Sequence, residues 1–587
     1  MPTTASSGPD PRVMQFADRL DGRFALWAGS LAPAVDACLA DFTARDVVDK
    51  LYARETGLWS EDPAVQATIG NRLGWLRAPE WVVPSLPRIG RVAEQVRRDG
   101  FTHVVLLGMG GSSLAPEVIR SVMGVCDGWP AFHVLDSTDP ASVKALDEAI
   151  DLRKTLFIMA SKSGGTIEPN SMAAHFRARL LAEEDRPWAK QFLAITDEGT
   201  SLHRRAVADG YREIFVNPGD IGGRYSALSF FGLVPAALMG HDVGAMVDWA
   251  RALLWLCGPG RPMGTNSAVL LGAAMAVGAQ QGRDKLTLST PAGLEAFGLW
   301  VEQLVAESTG KLGRGVVPIA GEALGRRADY GRDRVMVRLD MASGIDAPAR
   351  EALRAMAADG TPFAQIELPA PEALAAEFLR WELATAVAGV VLGVNPFDEP
   401  NVQQAKEATG RLLAAYARDG ALPAHAAAVT LAGQAAALSG SAARALGARS
   451  VDRFLQVLAE GDYLGILVYL GPDPALAAPF EALRGTVRAR TRCASTFGYG
   501  PRYLHSTGQL HKGGAGNGVF LVISATPAHD VPVPGEGFSF GVLERAQAFG
   551  DFASLDAVGR RALHVHLARP DAASVAAVCD ALVAGLD

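Results

Sequence analysis

Five short apolar runs recur in the first half of the chain, and a helical pattern separates each run from the next. They lie at residues 102–107, 131–135, 155–160, 191–196 and 213–216. Strands that alternate with helices in this way form a parallel sheet covered by helices on both faces. A second series lies at residues 285–289, 334–339 and 363–368. The sequence therefore predicts an α/β fold with two doubly wound parallel-sheet domains in tandem.

The chain is too long for one hydrophobic core, since 587 residues correspond to two to four domains. The predicted domains are an N-terminal tail and helical segment (1–85), a first α/β domain (86–240), a second α/β domain (241–415), and a linker with a C-terminal partial α/β repeat (416–587). Residues 414–450 are rich in Ala, Gly and Ser, and the sequence leaves open whether they form a helical connection or a linker.

The C-terminal part of the chain repeats the order of the second series. Strand-like runs at 462–470, 519–524 and 562–567 follow one another as 285–289, 334–339 and 363–368 do. We therefore predict a partial internal duplication, in which residues 460–587 copy part of 285–390.

Composition excludes several classes of protein. A net charge of −8, a pI near 5.8 and no long basic run argue against a nucleic-acid partner. The five scattered cysteines lack metal-binding spacing and favour a reducing compartment. The N-terminus has no signal-peptide pattern, and apolar stretches such as 267–279 are too short to span a bilayer. We expect a cytoplasmic protein with no membrane association, no metal and no cofactor.

The segment SKSGGTIE (residues 161–168) directly follows one of the apolar runs and precedes a helical pattern. Its hydroxyls can donate to a phosphate, its glycines allow close approach of the backbone, and the following helix offers unpaired N–H groups. The segment predicts a phosphorylated small molecule as ligand, although an ordinary strand-to-helix turn is the alternative. A second glycine-rich loop, GMGGSS (residues 108–113), is of the same type but lacks the third glycine of a dinucleotide fingerprint.

Four further residues carry chemistry. Gln303 and Glu307 lie four apart on a predicted helix, and a carboxylate near the helix C-terminus favours the raised pKa of a general base. Arg224 follows a glycine pair that would let its guanidinium reach a ligand, and His505 lies in a polar loop. The alternatives are a solvated glutamate and an arginine in a surface salt bridge.

Five segments resemble the phosphoglucose isomerase family in the family's own order. They are residues 108–116, 161–168, 220–232, 297–311 and 393–406. The resemblance runs from about residue 45 to Lys406 and is strongest to the isomerase part of bacterial transaldolase/phosphoglucose isomerase fusions. No transaldolase-length region precedes these segments, so we do not expect that second activity. The resemblance implies that the tandem domains are of the SIS type and bind a sugar phosphate.

The resemblance also implies a reaction and a set of residues. The reaction would be the reversible isomerisation of glucose 6-phosphate and fructose 6-phosphate through a cis-enediol intermediate, without metal. Glu307 would be the base, Arg224 would stabilise the enediol charge, and His505 and Lys406 would assist ring opening. The implied substrate-binding residues are Ser161, Lys162, Ser163, Thr166, Ser112, Gly111, Gly223 and Gln303.

Two positions depart from the family pattern. The family's ring-opening histidine lies between the glutamate and the lysine, but no histidine lies between His241 and His425 here. His505 comes after Lys406, so we expect the C-terminal repeat to supply it, in a homodimer or in a monomer. Glu399 replaces a family glutamine, which would place a carboxylate near the phosphate. The alternatives to this enzyme are a non-catalytic sugar-phosphate-binding regulator and an isomerase that also accepts mannose 6-phosphate.

Overall fold

A computed structural model describes residues 10–183, 187–423 and 429–587, without the side chains of residues 402–405. The N-terminal segment is helical, as predicted, with one strand that the sequence did not indicate. Its elements are α1 (Pro11–Leu20), β1 (Phe24–Trp27), α2 (Ala32–Ala44), α3 (Val47–Tyr52), α4 (Pro63–Gly70), α5 (Ala78–Trp81) and α6 (Leu86–Arg98). β1 pairs antiparallel with a strand of the second sheet, where Trp27 stacks on Phe363.

The first unit (residues 103–238) contains all five predicted runs as strands of one parallel sheet. Its elements are β2 (His103–Leu107), α7 (Leu114–Met123), β3 (Ala131–Leu135), α8 (Pro140–Ala149), β4 (Thr155–Ala160), α9 (Ile167–Leu181), β5 (Phe192–Asp197), α10 (Ser201–Asp209), β6 (Glu213–Asn217) and α11 (Phe230–Leu238). The strand order is β3-β2-β4-β5-β6. All six residues of the central strand β4 are buried, which explains why its sequence is continuously apolar rather than alternating.

The second unit (residues 243–419) also contains its predicted strands. Its elements are α12 (Val243–Leu256), α13 (Ser267–Gln280), β7 (Lys285–Ser289), α14 (Glu295–Thr309), β8 (Val317–Ile319), β9 (Arg334–Met341), α15 (Ala347–Ala358), β10 (Phe363–Leu368), α16 (Leu374–Leu392) and α17 (Val402–Asp419). The sheet order is β1-β10-β9-β7-β8, parallel except for β1. α14 is almost wholly buried, since it packs against helices of the first unit and of the second.

The third unit (residues 429–584) is an α/β sheet of its own. Its elements are β11 (Val429–Leu431), β12 (Gln434–Leu438), α18 (Gly440–Leu446), β13 (Tyr463–Tyr469), α19 (Pro474–Thr491), β14 (Ala494–Tyr499), α20 (Gly508–Gly513), β15 (Gly518–Ala525), α21 (Phe540–Ala557), β16 (Arg561–Leu567) and α22 (Ala572–Ala584). Much of the segment that the sequence left open is therefore regular structure: the end of α17, the hairpin β11–β12 and α18. Residues 424–428 of that segment lie outside the described residues.

The second and third sheets share one strand order. The second reads β10-β9-β7-β8 with antiparallel β1 beside β10, and the third reads β16-β15-β13-β14 with antiparallel β12 beside β16. Each predicted pair of runs occupies equivalent strands. The duplication itself stays a prediction, but it would produce this order.

The strand order of the first sheet also places its ligand-binding edge. The connections from β2 and β4 lead to opposite sides of the sheet, so the loops after these two strands flank a crevice at its carboxyl edge. Ligands of open α/β sheets bind at such points. In the described ranges, no helix is long and apolar enough to cross a membrane.

Candidate active site

The loop after β4 is built as an anion cradle. Gly164 has a positive φ of 69°, its N–H donates to Ser161 Oγ at 3.1 Å, and the N–H of Gly165 donates to Ser163 Oγ at 3.3 Å. The hydroxyls of Ser161 and Thr166 lie 3.3 Å apart. α9 begins directly after Thr166, so its first N–H groups point towards the same place. Hydroxyls and helix N–H groups here can hold a phosphate.

Lys162 has a different position from the rest of this loop. Its ammonium pairs with Asp197 and donates to the carbonyl oxygen of Gly219 at 3.0 Å. These contacts hold its side chain on the next strand, and Lys162 is absent from the lining of the cavity that the hydroxyls face. Its predicted contact with the substrate therefore stays a prediction.

A cavity of about 280 Å³ opens beside the cradle. Small-molecule sites occupy roughly 300–1,000 Å³, so this cavity suits a compact ligand such as a sugar phosphate. All three units line it. The polar residues are Ser163 and Thr166 from the loop, Glu168 from α9, Lys406 and Thr409 from α17, and His505 and Gln547 from the third unit.

Glu307 lies near the C-terminal end of α14 and is 7% exposed. One carboxylate oxygen accepts a hydrogen bond from Gln303 Nε2 at 3.2 Å, and the other lies 3.4 Å from Arg224 Nη1. Burial raises the pKa of Glu307 above its ordinary value, although the positive charge of Arg224 opposes this. A buried carboxylate with a raised pKa beside a cation can remove a proton next to a carbonyl group.

Arg224 does not lie in a surface salt bridge, the alternative that the sequence left open. It is buried, and all three of its guanidinium nitrogens donate hydrogen bonds. Nε donates to Ser308 Oγ at 2.8 Å, and Nη2 donates at 2.8 Å to the carbonyl oxygens of Pro396 and Asp398. Nη1 donates to Glu399 at 3.1 Å. Burial would lower the pKa of Arg224, but Glu307 and Glu399 raise it, so the cation is permanent and fixed.

Glu399 is thus a partner of Arg224 rather than a group facing the cradle. Burial tends to raise the pKa of Glu399, but Arg224 outweighs it and holds the pKa below its ordinary value. The carboxylate that the sequence placed near a phosphate is therefore compensated by the guanidinium.

Two glycines of the loop after β2 are required by close approach. A Cβ at Gly111 would lie 2.1 Å from the carbonyl oxygen of Gly223. A Cβ at Gly110 would lie 2.8 Å from the carbonyl oxygen of His505 and 2.9 Å from Gln303 Nε2. Ser112, which follows, is buried in the same turn. These contacts bring the loops of the three units within touching distance.

His505 contacts both Glu168 in the cavity and Gln303 beside Glu307. Its Nε2 lies 3.1 Å from Glu168 Oε1, and its carbonyl oxygen accepts a hydrogen bond from Gln303 Nε2 at 2.6 Å. Gln303 therefore contacts both Glu307 and the His505 backbone. Of the predicted residues, Ser163, Thr166, Lys406 and His505 line the cavity, and Gln303 connects the His505 backbone to Glu307, which lies beside Arg224. The other predicted substrate-binding residues lie outside the cavity lining, and their contacts with the substrate stay predictions: Ser161, Lys162, Ser112, Gly111 and Gly223.

Sequence reasoning missed Glu168 and Arg502, as well as Gln547, which lines the cavity. Glu168 belongs to the predicted loop but received no role. Burial tends to raise its pKa, but His505, the backbone N–H of Glu168 and Lys406 together hold that pKa below its ordinary value. Arg502 donates to both oxygens of Asp136, at 2.8 and 2.7 Å, and fixes the His505 loop on the first unit. The position of Glu168 in the first turn of α9 could have identified it from the sequence. No feature of the sequence around Arg502 indicates its contact with Asp136.

Comparison with known proteins gives consistent matches. A family model for phosphoglucose isomerase matches residues 92–312. The glucose-6-phosphate isomerase of Rubrobacter xylanophilus is 30% identical over 420 residues, which is 61% of this chain and 92% of that protein. The glucose-6-phosphate isomerase of Parasynechococcus marenigrum is 34% identical over 278 residues, 43% of this chain and 48% of that protein. The chain thus spans nearly all of one relative and about half of the other.

Solved structures show the same fold. A hypothetical protein from Thermus thermophilus aligns with a TM-score of 0.57 and 24% identity, over 67% of this chain and 100% of that one. A glucose-6-phosphate isomerase from Chlamydia trachomatis aligns with a TM-score of 0.51 and 18% identity, over 65% of this chain and 86% of that one.

Proposed function

The chain belongs to the phosphoglucose isomerase family, and from this premise we propose that it interconverts glucose 6-phosphate and fructose 6-phosphate with Glu307 as the base. The observation that carries the proposal is the buried Glu307 carboxylate, 3.4 Å from the fixed Arg224 cation and joined through Gln303 to the backbone of His505, which lines the cavity beside the loop after β4.

The cradle anchors the substrate. The hydroxyls of Ser161, Ser163 and Thr166 and the N–H groups of α9 bind the phosphate, which leaves the sugar carbons to extend towards Gln303 and Glu307. Anchoring a remote group lets binding energy hold the reacting carbons in place, and orientation of this kind contributes several orders of magnitude to rate.

Ring opening comes first. The anomeric hydroxyl loses its proton, the C1–O5 bond breaks with its electron pair passing to O5, and O5 gains a proton. We assign these two proton transfers to His505 and Lys406, because both side chains line the cavity beside the cradle. Glu168 Oε1 lies 3.1 Å from His505 Nε2 and orients the ring.

Isomerisation follows through a cis-enediol. Glu307 removes the proton from C2, the electron pair forms the C1–C2 double bond, and the π pair of the C1–O1 carbonyl passes to O1, which takes up a proton. O2 then loses its proton, the C2–O2 double bond forms, and the same carboxyl returns its proton to C1. Over the whole step one hydrogen moves from C2 to C1 and one from O2 to O1, so no external oxidant or reductant is needed. Arg224 stabilises the negative charge that develops on the oxygens, and its raised pKa keeps it charged.

One chain supplies every group named. The third unit places His505 beside Glu168 of the first unit, and the Arg502–Asp136 contact fixes that placement. We therefore propose that the site needs no residue from a second copy, so that a monomer is active. A cytoplasmic location fits this proposal, since all five cysteines are free thiols.

A coupled assay of fructose 6-phosphate formation tests the base. Glu307→Gln keeps the shape and the contact with Gln303 but cannot take a proton, so the turnover number should fall about 10³-fold. Glu295→Gln is the matched control, because Glu295 lies exposed in the first turn of the same helix, and it should keep wild-type turnover. A sugar-phosphate-binding regulator would show no turnover in the wild-type protein, and equal turnover in wild type and Glu307→Gln would refute Glu307 as base.

A further inference from the structure

A chain of buried hydrogen bonds crosses from the first unit to the third and back at the active site. Thr138 Oγ1 donates to Gln547 Oε1 at 2.8 Å, and Gln547 Nε2 donates to Glu168 Oε1 at 2.7 Å. The same Glu168 oxygen lies 3.1 Å from His505 Nε2. We propose that Gln547 is a positioning residue for ring opening, which acts through Glu168 on His505; the inference rests on the function proposed above.

The chemistry of Glu168 fixes the direction of this chain. An ionised carboxylate can only accept hydrogen bonds, so Gln547 must turn its NH₂ group to Glu168 and its carbonyl oxygen to Thr138. Thr138 is fully buried, and its hydroxyl donates to that oxygen and holds the amide in this orientation. The Thr138 contact therefore helps to orient the Gln547 amide towards Glu168.

The same argument sets the proton on His505. Because Glu168 accepts from it, Nε2 carries a hydrogen, and Nδ1 is left to exchange a proton with the sugar. Within the described part of the chain, Nδ1 has no hydrogen-bond partner. Holding Glu168 in place thus aims the reactive nitrogen of His505.

Glu168 depends on Gln547 because its hydrogen bonds converge on one oxygen. Glu168 is 2% exposed, and its Oε2 is buried without a hydrogen-bond partner among the described residues. If Gln547 no longer donates, the carboxylate keeps His505 and its own backbone N–H as donors but loses the side-chain amide that holds it towards the third unit, so it can rotate. Loss of a donor to an anion raises its pKa. The charged and titratable groups facing Glu168 are His505, Lys406 on α17 and Tyr469 at the end of β13; none of these replaces an amide donor.

The experiment compares two substrates that differ in the need for ring opening. Glucose 6-phosphate is cyclic, whereas a four-carbon aldose 4-phosphate has no hydroxyl placed to close a five- or six-membered ring. Gln547→Met removes the donor at similar length. Its turnover of the cyclic substrate should fall about tenfold, and the acid limb of the pH profile should move up by about 0.5–1 unit, while turnover of the open-chain substrate stays within about twofold of wild type.

Two further variants guard against a merely structural effect. Thr138→Val keeps the shape and frees the amide, so it should change the cyclic-substrate profile in the same direction but less. Gln191→Met is the matched control, since Gln191 is a buried glutamine of the first unit whose amide donates, among the described residues, to the carbonyls of Leu152 and Thr155. It should lower stability without moving the pH profile.

A double-mutant cycle closes the test. In a His505→Ala background, Gln547→Met should add no further loss on the cyclic substrate, because both act in one chain. Equal losses on both substrates, an unmoved acid limb, or an additive loss in the double variant would overturn the inference alone. A wild-type protein that turns over neither substrate would overturn the proposed function and this inference with it.

Discussion

Replacing Gly111 by alanine should separate the two loops that hold the reacting groups. The new Cβ would lie 2.1 Å from the carbonyl oxygen of Gly223 and 2.9 Å from the backbone nitrogen of Arg224, whereas real Cβ atoms essentially never come within 3.0 Å of a neighbour. The loops must move apart by about 1 Å, and a displacement of that size costs about 10²-fold in rate. Overpacking of this kind also lowers the free energy of unfolding by about 1–3 kcal/mol.

The assay is steady-state turnover of fructose 6-phosphate formation, with thermal unfolding measured on the same samples. Gly222→Ala is the control, because a Cβ there meets nothing closer than Arg72 Cδ at 3.7 Å; it should keep turnover within about threefold of wild type. If Gly111→Ala turns over as fast as Gly222→Ala, the close approach of the two loops does not position the catalytic groups, and the reasoning from the glycine contact is wrong.

Two further predictions concern charge. Glu399→Gln removes a negative charge that raises the pKa of Glu307. That pKa should fall, so the acid limb of the pH–rate profile should move to lower pH; an upward or absent shift would contradict the coupling. Arg502→Met leaves the Asp136 carboxylate, which is 3% exposed, with Ser113 Oγ at 3.1 Å as its remaining hydrogen-bond donor among the described residues. Urea unfolding should show a loss of about 3–5 kcal/mol, whereas a loss below about 1 kcal/mol would mean that the ion pair does not fix the third unit.

Local chemistry explains which parts could be predicted from the sequence. The loop at 161–168 was recognised because its hydroxyls, glycines and following helix are all adjacent in the chain. The strands were found where β-branched and apolar residues run together, as in β4, but β12 reads Gln-Ala-Ala-Ala-Leu and has no strand-like composition. β1 is four residues long, and its register comes from pairing with β10 more than 300 residues later.

Contacts between segments that are far apart in the chain could not be predicted from the sequence. The glycine pair before Arg224 indicated that its guanidinium could reach a ligand, but the sequence did not exclude a surface salt bridge. Its burial depends on contacts with residues 396–399, which are distant in the chain. Gln547 lies in the middle of α21. The sequence alone predicts a solvent-exposed position for a single glutamine on a helix, and its burial follows only from the packing of α21 against the first unit. His505 was singled out from its polar loop, but its partner Glu168 was not, since it lies 337 residues away in the chain.

The most direct test of the central claim follows the hydrogen itself. Glucose 6-phosphate that carries deuterium at C2 is incubated with enzyme in ordinary water, and NMR follows the label at C1 of the product and its loss to solvent. The account predicts both transfer and loss in the wild-type enzyme, and rates about 10³-fold lower for each in Glu307→Gln. Label that leaves C2 at the wild-type rate in Glu307→Gln would show that another group removes the proton and would contradict the account.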